Sequence, residues 1–210
     1  MGSCCIEETN KDIIPRILMI PAVSYPAPFW SGYAVINSKI TDLSLQDFKG
    51  KYVILLFYPY DFTFVCPTEI IQFSERINEF RILNAEVVAV STDSEYSHLA
   101  WITTPRKQGG LGEMKIPVLA DKNHKISNDY GVLDEIRGIA IRALFIIDPK
   151  QLIRHVNLND DAISRSVDEI LRLLQACQFA DKFGDTCPLG PIQQKRVSRH
   201  NSIYFDTTSN

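Results

Sequence analysis

The residues Tyr52-Val53-Ile54-Leu55-Leu56-Phe57-Tyr58 form an unbroken apolar run, rich in aromatic and β-branched side chains. A strand with one wet face alternates apolar and polar residues, whereas a strand without alternation has both faces covered. The run is far short of the ~20 residues that cross a membrane. It therefore predicts a central strand with helices on either side, and the neighbouring sequence supplies them. Residues 67–83 read as a helix, with Ile70, Phe73, Ile77, Phe80 and Leu83 on one stripe. Residues 86–91 read as a second buried strand. Residues 94–104 read as a helix that stops before Pro105 and Gly109-Gly110-Leu111-Gly112. A short strand is expected at 116–119 and a short helix at 122–130, closed by Gly131. Residues 143–148 and 152–157 read as a hairpin through Pro149-Lys150. The last helix begins near Ser166, where Ser166 and Glu169 fit a capping box, and it buries Val167, Ile170, Leu171, Leu174 and Cys177. Strands alternating with helices and closed by a hairpin predict an α/β fold, a central mixed β-sheet flanked by helices.

At 210 residues the chain is long enough for one well-cored domain without staples. We expect an N-terminal extension over 1–20, the domain over 21–182 and a C-terminal tail over 183–210. Twenty-two Lys and Arg against 25 Asp and Glu give a net charge of −3, which argues against a nucleic-acid surface or a polybasic membrane surface. Five Cys are too few, and odd in number, for a disulfide-built secreted domain. The apolar stretch 13–23 is broken by Pro15, Arg16 and Pro21 and follows acidic residues, unlike a secretory leader. No run is long enough for a membrane span. A cytoplasmic protein with reduced thiols is expected. Gly2, Cys4 and Cys5 resemble an acylated terminus, but Ile6 stands where N-myristoylation needs Ser or Thr, so an exposed terminus is the first expectation.

The chemistry concentrates in Phe57-Tyr58-Pro59-Tyr60-Asp61-Phe62-Thr63-Phe64-Val65-Cys66-Pro67-Thr68-Glu69. A buried strand ends, an aromatic loop follows, and Cys66 heads a helix with Pro67 at its first position. The unpaired N–H groups and positive dipole end there favour an anion, so a thiolate is stabilised. Cys66 has no CxxC partner, which excludes a thioredoxin-type dithiol, and no His- or Cys-rich cluster offers zinc ligands. No cofactor or metal is implied. A free thiol of pKa ~8.5 is only about 3% ionised at pH 7. Lowering that pKa to ~6 gains roughly 30-fold, partly offset because weaker bases are weaker nucleophiles. A fast thiol reaction here needs fixed donors as well.

The run Pro59-x-x-x-Thr63-x-x-Cys66 resembles the signature of peroxiredoxins, thiol peroxidases on a thioredoxin-like fold. The stretch from Trp101 to Gly112, the run Arg142-Ala143-Leu144-Phe145-Ile146-Ile147-Asp148 and the pair Cys187-Pro188 resemble the typical two-cysteine subgroup. The resemblance spans the chain from about Pro26 to Cys187. It implies that Cys66 is the peroxidatic nucleophile, that Thr63 hydrogen-bonds the thiolate and the incoming oxygen, and that Pro59 shields the pocket. It implies that Arg142 sits beside the sulfur and that Glu69 and Arg165 orient it. Cys187 would be the resolving thiol, giving an intersubunit Cys66–Cys187 disulfide that thioredoxin reduces. It further implies a homodimer joined edge to edge near residues 154–157, and a decamer of five dimers. Gly109-Gly110-Leu111-Gly112 and Tyr204-Phe205 resemble motifs of members sensitive to excess peroxide.

The sequence departs from that pattern in four places. The usual Trp after the resolving Cys is replaced within Pro188-Leu189-Gly190-Pro191. Ala143 stands where Gly usually follows the Arg, and Ser164 where Gly usually precedes Arg165. The stretch Arg196-Val197-Ser198-Arg199-His200 is unusually basic. Cys177 reads as core, and His98, His124, His155 and His200 as structural or surface residues. A redox relay or a holdase chaperone on the same ring is the competing function. The joint presence of Pro59, Thr63, Cys66 and Arg142 favours the peroxidase.

Overall fold

The computed structural model describes residues 19–63 and 66–184, with the side chains of all of these except Cys66. Tyr52–Phe57 is strand β3, buried along its whole length. It follows a hairpin of β1 (Ser31–Ile36) and β2 (Lys39–Ser44). Next come helix α1 (Cys66–Glu75), α2 (Ile77–Ile82), β4 (Ala85–Ser91), α3 (Glu95–Thr103), β5 (Val118–Ala120) and α4 (Lys125–Asp129). A small hairpin of β6 (Leu133–Asp134) and β7 (Ile139–Ala140) leads to β8 (Arg142–Ile147), β9 (Ile153–Asn159) and α5 (Val167–Phe183).

Seven strands form one sheet in the order β2-β1-β5-β4-β3-β8-β9. β3, β4 and β5 are parallel, while β8, β9, β1 and β2 run antiparallel to their neighbours. The sheet is mixed, as expected. Side chains of a strand point alternately to its two faces, and β3 sorts its residues accordingly. Ile54 and Leu56 join Ile70, Phe73, Ile77, Phe80, Trp101, Ile170 and Leu174 on the face covered by α1, α2, α3 and α5. Val53, Leu55 and Phe57 join Trp30, Ile126, Tyr130, Phe145 and Ile147 on the other. There the rings of Phe57, Tyr130 and Phe145 meet at 4.9 to 5.8 Å between centroids.

Two expectations are refined. The single helix over 67–83 is divided at Arg76, whose backbone leaves helical geometry and whose guanidinium pairs with Glu79 and with Asp168 of α5. The apolar stripe continues through Ile77 and Phe80 across the break, so periodicity alone reads one helix. In the α5 cap, Ser166 Oγ accepts from the Glu169 N–H as expected, but the Glu169 carboxylate pairs with Arg172 instead of reaching back. Cys177 is a free thiol packed against the core, and its burial raises its pKa.

Candidate active site

The site is built where three chain segments meet at one end of β3. After Phe57 the chain passes through buried Tyr58 and Pro59 into a loop, then enters α1 at Cys66. Glu69 lies in the first turn of α1, where a carboxylate complements the helix dipole. Arg142 opens β8, which pairs with β3 so that Ala143 faces Phe57. Arg165 immediately precedes the α5 cap. Glu69, Arg142 and Arg165 are all within a few per cent of complete burial.

Buried charges persist only when paired and hydrogen-bonded, and these are. Arg165 grips Glu69 with both prongs, Nε to Oε1 and Nη2 to Oε2 at 2.6 Å each, and its backbone N–H also donates to Oε1. Arg165 Nη1 donates to the carbonyls of Phe57 at 2.7 Å and Ala143 at 2.8 Å, tying the ends of β3 and β8 together. Arg142 donates from Nη1 to Glu69 Oε2 at 3.2 Å and from Nε to the Asp161 carbonyl at 2.7 Å. The trio holds two guanidinium groups and one carboxylate. One more positive than negative charge therefore sits in a low-dielectric setting beside the helix that Cys66 opens.

The structure thus brings together Glu69, Arg142 and Arg165 of the predicted site residues. Pro59 is buried at the start of the loop, and the Thr63 hydroxyl donates to the Tyr60 carbonyl at 3.3 Å. The Cys66 backbone begins α1. The Cys66 side chain, Cys187 and the N-terminal Gly2, Cys4 and Cys5 lie outside what is described.

Comparison with known proteins matches residues 23–156 to the AhpC/TSA family. Peroxiredoxin 2 of Drosophila melanogaster is 56% identical over 194 residues, covering 90% of this chain and all of that one. The chain belongs to the AhpC/TSA family and is a peroxiredoxin. The mitochondrial thioredoxin-dependent peroxide reductase of Mus musculus is 58% identical over 168 residues, which cover 80% of this chain and 65% of that one. The reduced 2-Cys peroxiredoxin of Plasmodium vivax superposes with a TM-score of 0.77 at 44% identity, covering 80% of this chain and 89% of that structure. The fold is the thioredoxin-like fold of peroxiredoxins.

A second buried cluster of this peroxiredoxin was not anticipated as a unit. Asp61, in the loop after β3, accepts hydrogen bonds from Tyr58 and Ser97 hydroxyls at 2.8 and 2.7 Å and lies 2.9 Å from His98 Nδ1. Its backbone N–H donates to the Asp93 carboxylate at 2.9 Å. Burial, then the nearby Asp61 charge, raises the Asp93 pKa. Burial, then Asp61, pushes the Tyr58 phenol well above its ordinary value. His98, expected in a structural or surface role, is fully buried. The available signal was Asp61 itself, an acidic residue set among Tyr58, Pro59, Tyr60 and Phe62.

Proposed function

We propose that the chain reduces hydrogen peroxide and organic hydroperoxides, with Cys66 as the nucleophile. The observation that supports this best is the buried Arg142–Glu69–Arg165 trio beside the helix that Cys66 opens. In this reading the Cys66 thiolate attacks the terminal oxygen of ROOH and forms an S–O bond. The O–O bond breaks, and the leaving alkoxide or hydroxide takes a proton, giving Cys66–SOH and ROH or water. Fixed positive donors aimed at charge moving along the O–O bond supply most of the acceleration. Arg142 and Thr63 are assigned that task, Glu69 and Arg165 hold Arg142 in place, and Pro59 keeps water out.

Resolution follows when the Cys187 thiolate of a second subunit attacks the Cys66 sulfur. The S–O bond breaks and water leaves. Thioredoxin supplies the two electrons that reopen the disulfide, a reading supported by the mouse relative, which is named a thioredoxin-dependent peroxide reductase. Two sulfurs bond only when their Cα atoms come within roughly 7 Å, so the head of α1 must open before resolution. While it stays closed, a second peroxide converts Cys66–SOH to the sulfinic acid. Residues 21–182 act as the folded peroxidase unit, with 183–210 carrying the resolving thiol, in a reducing compartment such as the cytoplasm. NADPH-coupled peroxide turnover with thioredoxin and its reductase tests the reading. The unaltered chain should turn over and Cys66→Ser should not; equal turnover by the two excludes Cys66 as the nucleophile.

A further inference from the structure

The reaction as described leaves the Asp61 cluster unused, although it sits behind the loop that delivers Cys66. We propose that Asp61 and His98 form a latch on this loop, positioning residues 59–63 and setting how readily the head of α1 opens after oxidation. The inference rests on the peroxidase reading and adds positioning residues to it.

Phe62 has a φ of 54°, a left-handed conformation that a bulky side chain keeps only when its surroundings enforce it. The Phe62 ring is also half exposed, touching Trp101 at 5.9 Å between centroids. Packing on one face of an exposed ring is a weak constraint. The strong one is the residue before it. The Asp61 side chain is 2% exposed and its oxygens take donors from Tyr58 at the end of β3 and from Ser97 and His98 on α3, while its N–H is held by Asp93. A buried carboxylate with this set of partners holds its segment firmly, because every bond would have to be replaced on leaving.

His98 points to the same conclusion. Among the described residues its buried Nε2 has no hydrogen-bond partner, which places the ring hydrogen on Nδ1, facing Asp61. An apolar side chain of similar size would fill the site without leaving a nitrogen unsatisfied. What the imidazole adds over such a side chain is its bond to the loop. Among the described residues no group of three or more His, Cys, Asp or Glu is arranged to hold a metal ion, so the cluster is not a cation site.

When the loop opens, water replaces these donors. Removing one donor therefore weakens the closed form selectively. The loss of one hydrogen bond to a carboxylate shifts the closed-to-open ratio by about tenfold. Cys66–SOH meets a second peroxide while closed and meets Cys187 when open. The ratio of sulfinic acid to disulfide reports the latch.

The test compares the unaltered chain with His98→Leu, His98→Asn and Ser97→Ala under a peroxide titration, reading sulfinate against disulfide-linked dimer by intact mass. His98→Leu should lower the sulfinate-to-disulfide ratio about tenfold. His98→Asn, whose amide N–H takes the place of Nδ1–H, should recover most of that change, and Ser97→Ala, which also removes one donor to Asp61, should lower the ratio by a similar factor. Hydrogen exchange should quicken over residues 59–70 in His98→Leu and stay unchanged in β4 and α5. A folded His98→Leu with the unaltered ratio overturns the latch. So does a changed ratio accompanied by faster exchange throughout β4 and α5, which marks general loosening. If His98→Leu does not fold, Ser97→Ala decides, and an unaltered ratio there overturns the latch. An unaltered chain that forms neither sulfinate nor disulfide is a different failure: it removes the peroxidase reading, and the latch with it.

Discussion

Glu69 holds two guanidinium groups, and the two are not equivalent. The Arg165 guanidinium is bidentate on Glu69 and also donates to the two strand-end carbonyls, a structural set of bonds. Removing the Arg165 side chain leaves the buried carboxylate with only the longer Arg142 bond and one backbone N–H. Arg165→Leu should cost about 3–5 kcal/mol of stability, the scale of breaking a buried pair from one side, read as a lowered urea midpoint. Arg142 makes a single longer bond to Glu69, and Glu69 keeps Arg165 without it. Arg142→Ala should therefore fold and yet lose at least ~10²-fold in peroxide rate, the scale of losing one oriented donor. Stopped-flow kinetics with an unchanged rate would take Arg142 out of the mechanism. These residues were legible because each stands in a short motif of distinctive type and order. His98 was not, because a lone histidine on a short helix says nothing about what lies opposite it. Asp61 lies 37 residues earlier in the chain, and only the fold makes the two neighbours.

The elements divide along similar lines. Strands β3 and β4 and helix α5 were plain from uninterrupted apolar runs and one apolar stripe. The β1–β2 hairpin went unread, although Asn37 and Ser38 carry its turn with φ values of 50° and 59°. Both central residues are left-handed, as a type I′ turn requires. Asn-Ser is a weaker turn signal than Asn-Gly, and the flanking strands are half polar. The Gly109-Gly110-Leu111-Gly112 segment was legible only as a break. In the structure a Cβ at Gly110 would lie 1.8 Å from the Thr104 carbonyl, and the Gly109 carbonyl accepts the Trp101 indole N–H, so the segment packs directly on the end of α3. β9 carries a pH signature. Burial, aided by Arg172 and opposed by Glu169, lowers the His155 pKa below its ordinary 6.5. The unfolded chain then binds that proton more tightly than the folded one. Stability present above about pH 6.5 is lost as the pH falls through the folded value. Urea midpoints at about pH 5 and about pH 7.5 should differ in that sense, and His155→Gln should reduce the difference.

At the scale of the molecule, β9 ends the sheet, and an open edge of this kind is commonly covered by a partner. In the proposed cycle that partner is a second copy, and its tail brings Cys187. Peroxide should convert the chain to a covalent dimer on non-reducing electrophoresis, and Cys187→Ser should abolish that band. A dimer persisting in Cys187→Ser would assign the bridge to another thiol. The overall architecture was legible because strand and helix signals alternate; the strand order was not, because local pattern does not say which distant strand lies beside which. That order has a further consequence. β3 meets β4 early, but its other neighbour, β8, comes from far along the chain, and such distant pairings close late. Arg142 arrives with β8, and Arg165 follows it. A chain still emerging from the ribosome thus carries the head of α1 before the guanidinium pair on Glu69 exists, and in the proposed cycle its thiol is unarmed until synthesis has passed both arginines.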